Sequence, residues 1–246
     1  MTAERPQPSS IGRLLVFGGV LLALFVAFVA LGNWQVQRRA WKLALIERVE
    51  QYRSAAPEPA PPPQRWAGIG TADAYRPVTV TGRFRHDLET CVQAVTVHGP
   101  GYWVLTPLRT DAGWSVLVNR GFVDQQHCDA ATRSDGQVGG PVTVSGRLRL
   151  TEPKGGFLRD NDPAADRWHS RDVAQIAAAR GLDATQVAPY FIDAAAGVDG
   201  GPIGGLTVIR FRNHHLGYAL TWFSLAALVA LAAAMIARRE WRLRRR

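Results

Sequence analysis

Two long apolar runs without a charged side chain lie near the two ends of the chain, at residues 14–31 and 216–237. They are 18 and 22 residues long, and a helix of about 20 apolar residues crosses the hydrocarbon core of a bilayer. The pattern therefore predicts a transmembrane helix near each end of the chain, with one domain between them.

Helical periodicity continues past the first apolar run. Long side chains recur on one helical face at Leu31, Trp34, Arg38, Trp41 and Leu45. We therefore predict a single helix over residues 11–53, preceded by a disordered tail at residues 1–10. We expect Trp34 and Trp41 to pack against the second transmembrane helix. Residues 54–66 are rich in proline, which predicts a semi-rigid linker that lies outside any core.

The middle of the chain, residues 67–211, shows the two-residue alternation of half-buried strands. Val alternates with Thr or Ser and then meets Gly in residues 77–85, and the same order returns in residues 141–149. Further short strands are predicted at residues 91–97, 102–109, 114–118, 190–193 and 206–211. Such strands are typical of a small barrel or sandwich, here with one or two short helices. The predicted fold class is a membrane α+β protein in which two transmembrane helices flank this β-rich domain.

Three glycines of this domain predict special backbone shapes. Gly82 and Gly146 interrupt strands, which favours a bulge or a sharp bend at each. Gly121 ends the sequence Asn119-Arg120-Gly121, for which we predict a turn with a structural role. Glycine is expected there because it adopts backbone conformations that other residues resist.

Positive charge is concentrated after the second apolar run. Residues 238–246 contain six Arg and one Glu, which is +5 of the net charge of +9. A basic tail can bind nucleic acid, but directly after a membrane span it favours the cytoplasmic side. We therefore predict a transmembrane helix over residues 212–237, a basic cytoplasmic tail, both termini in the cytoplasm, and no binding of nucleic acid. The β-rich domain then lies outside the cytoplasm.

The first apolar run has two features that this orientation must accommodate. Arg38 and Arg39 follow the run on the outer side, where the charge rule disfavours them. Small residues near position 30 also resemble a signal-peptide cleavage site. The run is longer than the apolar core of a usual signal peptide, so we expect the helix to be retained.

Signatures of enzymes are absent from the sequence. It contains no G-x-S-x-G, no H-E-x-x-H and no P-loop,, and the Gly-rich residues 197–205 do not lead from a strand into a dinucleotide-binding helix. We therefore predict that the protein is not an enzyme. Cys91 and Cys128 form no C-x-x-C pair, which argues against a redox or copper relay. Outside the cytoplasm a disulfide is permitted, but spacing alone leaves paired and unpaired cysteines open.

Polar and aromatic side chains lie at the start of the second span. On a helix His215, Tyr218, Ala219 and Trp222 share one face, while the adjacent His214 points about 100° away. A neutral imidazole at this position can bind a metal, including the iron of a haem. A hydrated histidine within an interfacial aromatic belt explains the same pattern, and periodicity by itself favours that simpler interpretation.

Two motifs resemble the surfeit locus protein 1 family. Leu-Gly-x-Trp-Gln-x-x-Arg-x-x-Trp-Lys begins at Leu31, and Asn-x-His-x-x-Tyr-Ala-x-Thr-Trp begins at Asn213. Residues 101–123 are similar to the central strand pair of the same family. The resemblance covers residues 31–223. It implies a bacterial member that assists the assembly of cytochrome c oxidase in the inner membrane, with its main domain in the periplasm.

The resemblance also implies a site and a cofactor. His215 occupies the position of the haem ligand, and haem a is the expected cofactor, bound transiently and placed in the catalytic subunit of the oxidase. The other expected site residues are Tyr218, Trp222, Trp34, Arg38 and Arg212. Arg38 and Arg212, with Arg39 and Arg210 near the same level, have a charge that suits the haem propionates. Anionic lipid headgroups explain these arginines equally well.

The expected partners are the oxidase catalytic subunit, membrane lipid and, as a further candidate, haem a synthase. A rival hypothesis is a cofactor-free scaffold that stabilises an oxidase subunit during assembly. A third is a two-span sensor, which is disfavoured because the sequence shows only short cytoplasmic tails and no output domain.

Overall fold

A computed structural model describes residues 10–153, 159–195, 197, 199–207 and 213–245. It confirms the predicted fold class: two helices that are long and apolar enough to cross a membrane flank a β-rich domain. The first, α1, spans Ile11–Arg53, and the second, α3, spans His215–Arg244. A short helix, α2 (Val173–Ala179), lies within the β-rich domain. The two long helices form one compact unit and the β-rich domain forms another.

The β-rich domain contains, within the described residues, a seven-stranded sheet in the order β1-β2-β6-β7-β5-β4-β3. Its strands are β1 (Glu58–Pro59), β2 (Pro77–Phe84), β3 (Thr90–Thr96), β4 (Gly99–Arg109), β5 (Ser115–Asp124), β6 (Pro141–Leu150) and β7 (Val187–Ala194). The end of β2 also pairs with β4, through Arg83 opposite Arg109 and Phe84 opposite Leu108. This pairing closes β2, β6, β7, β5 and β4 into a barrel, which protects edges that an open sheet would expose.

Two apolar cores lie on opposite faces of the barrel wall. One side of the strands fills the barrel interior with Val78, Leu108, Val116, Leu148, Tyr190 and Ile192. The other side of β4, β5 and β7 packs with α2 around Leu105, Leu117, Phe191, Trp168 and Ile176. Neighbouring residues such as Tyr190 and Phe191 are therefore both buried, because successive side chains of a strand point to opposite faces.

The proline-rich segment is part of the domain, so the prediction of a linker outside the core was wrong. Its strand β1 pairs in parallel with β2, and Ala60 is buried in the barrel core. The carbonyl of Pro61 accepts hydrogen bonds from the Trp66 indole (3.0 Å) and the Tyr190 hydroxyl (2.7 Å). An extended proline-rich chain suits an edge strand, because its carbonyls remain free to accept hydrogen bonds although its nitrogens cannot donate.

Of the two shapes predicted at Gly82 and Gly146, a bulge or a sharp bend, the structure contradicts the bulge. Pairing between β2 and β6 continues without a break through both positions. Each glycine instead admits a neighbouring backbone: a Cβ atom on Gly82 would collide with the Arg109 carbonyl, and one on Gly146 with the Asp193 carbonyl. The two echoing sequences thus share one physical requirement, which is close approach of the next strand in the barrel.

Residues 119–121 lie inside β5 rather than in a turn, which corrects the third glycine prediction. The need for glycine is nevertheless real. Gly121 has a φ of 135°, and a Cβ atom there would collide with the carbonyl of Ile203. That carbonyl accepts the backbone hydrogen bond of Phe122 at 2.9 Å, so the loop is held against the strand at this glycine.

The remaining predictions concern the two cysteines, the basic tail and two segments near the ends of the chain. Cys91 and Cys128 form a disulfide, with Cα atoms 6.1 Å apart, which settles the question that their spacing left open. The helix α3 continues to Arg244, so most of the basic tail is helical. The predicted tail at residues 1–10 falls largely outside the described residues, and so does the predicted strand at residues 206–211.

Candidate functional site

The helices α1 and α3 pack closely through small residues. A Cβ atom on Gly32 of α1 would lie only 2.6 Å from the ring of Phe223 on α3, and Ala219 is buried at the same contact. Phe28, one turn before Gly32, stacks with Trp222, the neighbour of Phe223, with ring centroids 5.7 Å apart. Small residues at helix contacts are what permits such close approach in a membrane.

A hydrogen bond between the helices orients His215. The imidazole Nδ1 lies 2.7 Å from Oε1 of Gln35, and only 9% of the Gln35 surface is exposed. An amide oxygen can only accept, so Nδ1 carries a hydrogen, and the neutral tautomer that fits this contact has its lone pair on Nε2. The contact therefore holds His215 in the tautomer that can donate an electron pair to a metal through Nε2.

The side-chain oxygen of Asn213, two residues before His215, is buried without a hydrogen-bond donor among the described residues. An unsatisfied buried acceptor costs about 1–3 kcal/mol, so such a group in a native site needs an explanation. A bound molecule that supplies a donor is one such explanation.

The predicted common face of α3 is only partly correct. His215 and Trp222 contact α1, as the Gln35 and Phe28 contacts show. Tyr218 is 58% exposed and belongs to the edge of that face, because it is rotated by about 60° from His215 around the helix. His214 is exposed, in keeping with its weaker candidacy.

The prediction that Trp34 and Trp41 pack against the second helix was wrong. Both indoles are more than half exposed. The Arg38 guanidinium, on the same exposed stripe, lies 4.1 Å from the Trp41 ring centroid as a cation–π pair. Arg212, the other predicted cationic site residue, lies outside the described part of the chain, as does Arg210.

Gln35 is the site residue that sequence reasoning missed. The large side chains of the first motif drew attention to the stripe of Trp34, Arg38 and Trp41, whereas α3 lies against the neighbouring stripe of Gly32 and Gln35. The sequence did contain a pattern that could have identified Gln35. Gly32 and Gln35, a glycine and an uncharged polar residue, lie three positions apart directly after an apolar span. In a membrane helix, small residues mark helix contacts and polar residues form interhelical hydrogen bonds.

A metal site built from protein side chains alone is not found in the described residues, since no three His, Cys, Asp or Glu side chains group together there. His215 therefore offers one ligand rather than a complete coordination shell. That donor set fits a metal whose other ligands come from an organic ring, such as a haem.

Comparison with known proteins supplies an independent line of identification. The model of the SURF1 family matches residues 22–227. Surfeit locus protein 1 of Homo sapiens is 40% identical over 85% of this chain and 73% of its own length. The corresponding protein of Xenopus tropicalis is 38% identical, over 85% and 71%. A SURF1-like protein of Caenorhabditis elegans is 32% identical, over 87% and 72%. The matched region contains the whole barrel and part of each long helix, and this chain therefore belongs to the SURF1 family.

Proposed function

We propose that this protein assists the assembly of cytochrome c oxidase by holding haem a at its membrane-helix pair and helping to place it in the catalytic subunit. The observation that carries the proposal is the contact between Gln35 and His215, which selects, of the two neutral tautomers, the one whose lone pair is on Nε2,. Membership of the SURF1 family supports the proposal of haem binding, because the resemblance to this family implies that His215 occupies the position of a haem ligand.

The residues present fit a haem chemically. Haem a, when bound, would supply an iron that accepts a nitrogen ligand from the protein. His215 would be that ligand, and Gln35 would hold its ring in place. The apolar flanks of α1 and α3, including Phe28 and Trp222, would bury an apolar ring and tail. Arg38 would bind an anionic propionate, since it follows the apolar run by two helical turns and carries a positive charge,.

Replacement of His215 tests the proposal directly. His215→Ala should leave the protein folded and inserted but remove most of the bound haem a, because the directional bond to iron is lost while apolar contacts remain. His214→Ala is the matched control, since its side chain is exposed and adjacent. The measurements are haem per protein and the haem absorption band in membranes from cells that make haem a. Equal haem content in the parent and in His215→Ala would refute the ligand assignment.

The location of the protein is also a proposal. The basic end of α3 supports an inner-membrane protein with both termini in the cytoplasm and the barrel in the periplasm. Alkaline-phosphatase fusions at Gln137 and at Arg246 test this, because the enzyme is active only outside the cytoplasm. Activity at Arg246 with none at Gln137 would reverse the orientation.

One feature of the barrel favours the rival function of a cofactor-free scaffold. The hairpin between β3 and β4 presents Val95 and Val97 at 86% and 91% exposure, and exposed apolar side chains together can contact a partner. Co-purification of the oxidase catalytic subunit with a parent protein that carries no haem a, in cells that make haem a, would make the scaffold the better proposal. Haem a synthase is a further candidate partner that the same co-purification would reveal.

A further inference from the structure

A cleft of about 490 Å³ opens at one end of the barrel. This volume falls within the usual range of small-molecule sites, about 300–1,000 Å³. The walls are mostly apolar and include Phe84, Val118, Val142 and Val144, and the buried Arg120 reaches the cleft from β5. Apolar walls with one convergent polar group are typical of ligand sites.

Arg120 belongs to a buried cluster of charged and polar groups, and its guanidinium also lies over the Phe84 ring, 5.3 Å from the centroid. Its Nη1 donates to Glu89 and to Nδ1 of His86, each at 3.3 Å, and its Nη2 donates to the Gly136 carbonyl. These contacts engage three of its five N–H donors, and two donors have no partner among the described residues. Arg133 forms a second ion pair with the same Glu89.

The cluster carries one uncompensated positive charge. Two guanidinium groups share Glu89, which is the one carboxylate that pairs with either of them among the described residues. His86 is neutral here, because its Nδ1 accepts from Arg120 while its Nε2 lies 3.1 Å from the Val138 carbonyl and donates to it. Burial is the main reason that the pKa of Arg120 is lowered, and the charge of Arg133 lowers it further.

A second, partly buried arginine cluster in the same barrel has equal numbers of positive and negative charges, so the extra positive charge at Arg120 is not a general feature of the barrel. There Arg149 and Arg171 pair with Asp193 and Glu152. Two cations thus meet two carboxylates, as buried charges usually require. The Arg120 cluster lacks the second carboxylate, and it is this cluster that borders the cleft.

We propose that the barrel cleft binds a small amphipathic carboxylic acid, with the carboxylate on the free donors of Arg120 and the apolar body against Phe84, Val142 and Val144. The single surplus charge selects a monoanion. The apolar walls reward burial of a hydrocarbon or aromatic body. This site is separate from the proposed haem ligand His215, so either can exist without the other.

The test compares a carboxylic acid with its amide, which has the same shape but no charge. The full-length protein in lipid nanodiscs is titrated with 4-phenylbutyrate and with 4-phenylbutyramide, and binding is measured by calorimetry with empty nanodiscs as the blank. We expect the acid to bind about tenfold or more tightly than the amide, as is usual for a charge-assisted hydrogen bond. Equal binding of the two probes would overturn the proposal.

Two variants and a control locate the binding. Arg120→Gln should abolish the preference for the acid, whereas Arg85→Gln should not, because Arg85 is exposed and paired with Asp87 outside the cleft. Val142→Trp should fill the cleft and weaken both probes while leaving the buried cluster intact. If Arg120→Gln does not accumulate, Val142→Trp decides, and undiminished binding in that variant would overturn the assignment of the cleft.

Discussion

The contact between Gln35 and His215 can be removed by a single change, Gln35→Leu. Leucine has a similar size and a good helix propensity, so α1 should form and insert as before. The change deletes the 2.7 Å hydrogen bond that holds the imidazole. His215 can then rotate and exchange its ring hydrogen between the two nitrogens, so Nε2 is no longer reserved for a ligand.

The expected magnitude follows from the kind of bond that is lost. An ordinary protein hydrogen bond stabilises by about 0.5–1.5 kcal/mol, and a tenfold change in affinity corresponds to about 1.4 kcal/mol. Outer partners of metal-bound histidines typically change metal affinity by about 10–100-fold. We therefore expect Gln35→Leu to weaken haem a binding by about tenfold, which is less than the loss caused by His215→Ala.

The assay is a titration of purified protein with haem a, followed through the haem absorption band. Gln37→Leu is the matched control, since it is the same substitution on an exposed position of the same helix. Gln35→Glu keeps an oxygen acceptor for Nδ1–H and should retain most of the affinity. A Gln35→Leu protein that binds haem a like the parent, while His215→Ala does not, would refute the positioning role and leave the ligand assignment standing.

Two further predictions concern glycines at close contacts. Gly121→Val should destabilise the barrel by about 1–3 kcal/mol from backbone strain alone, and the collision of its side chain with Ile203 should destabilise it further. The variant should therefore have a lower denaturation midpoint than the parent. Gly32→Leu should separate α1 from Phe223 and lower the thermal stability of the helical signal in mild detergent. Gly18→Leu is its control, because open space surrounds Gly18. Unchanged stability in Gly32→Leu would show that the helix contact at Gly32 is not tight.

Local patterns determined most of the elements of this protein. The bounds of α1 and the positions of β2 and β6 follow from hydrophobic periods of 3.6 and 2, which depend only on neighbours along the chain. The glycine positions were also recognisable as special from sequence. Their reason was not, because the Arg109 and Asp193 carbonyls that require Gly82 and Gly146 belong to distant strands.

The candidate site shows the same division. His215 could be selected from sequence, since an imidazole beside an apolar span is unusual and the motif around it resembles a known family. Its partner Gln35 could not be selected, because it lies 180 residues away in the chain. Periodicity identifies the helical stripe with the largest side chains, and it does not show which stripe another helix covers. Trp34 and Trp41 carried the stronger pattern and nevertheless remain exposed.

Sequence by itself thus determined most of the helices and strands, the charge of the chain and the identity of the metal-binding candidate. Tertiary structure decided which faces meet: the closure of β2 onto β4, the burial of the proline-rich segment, the disulfide between Cys91 and Cys128, and the pairing of Gln35 with His215. The physical reason is that secondary structure reflects interactions between near neighbours, whereas these four features are contacts between residues far apart in the chain. Such contacts depend on how whole elements pack, and packing is not encoded in any single local pattern.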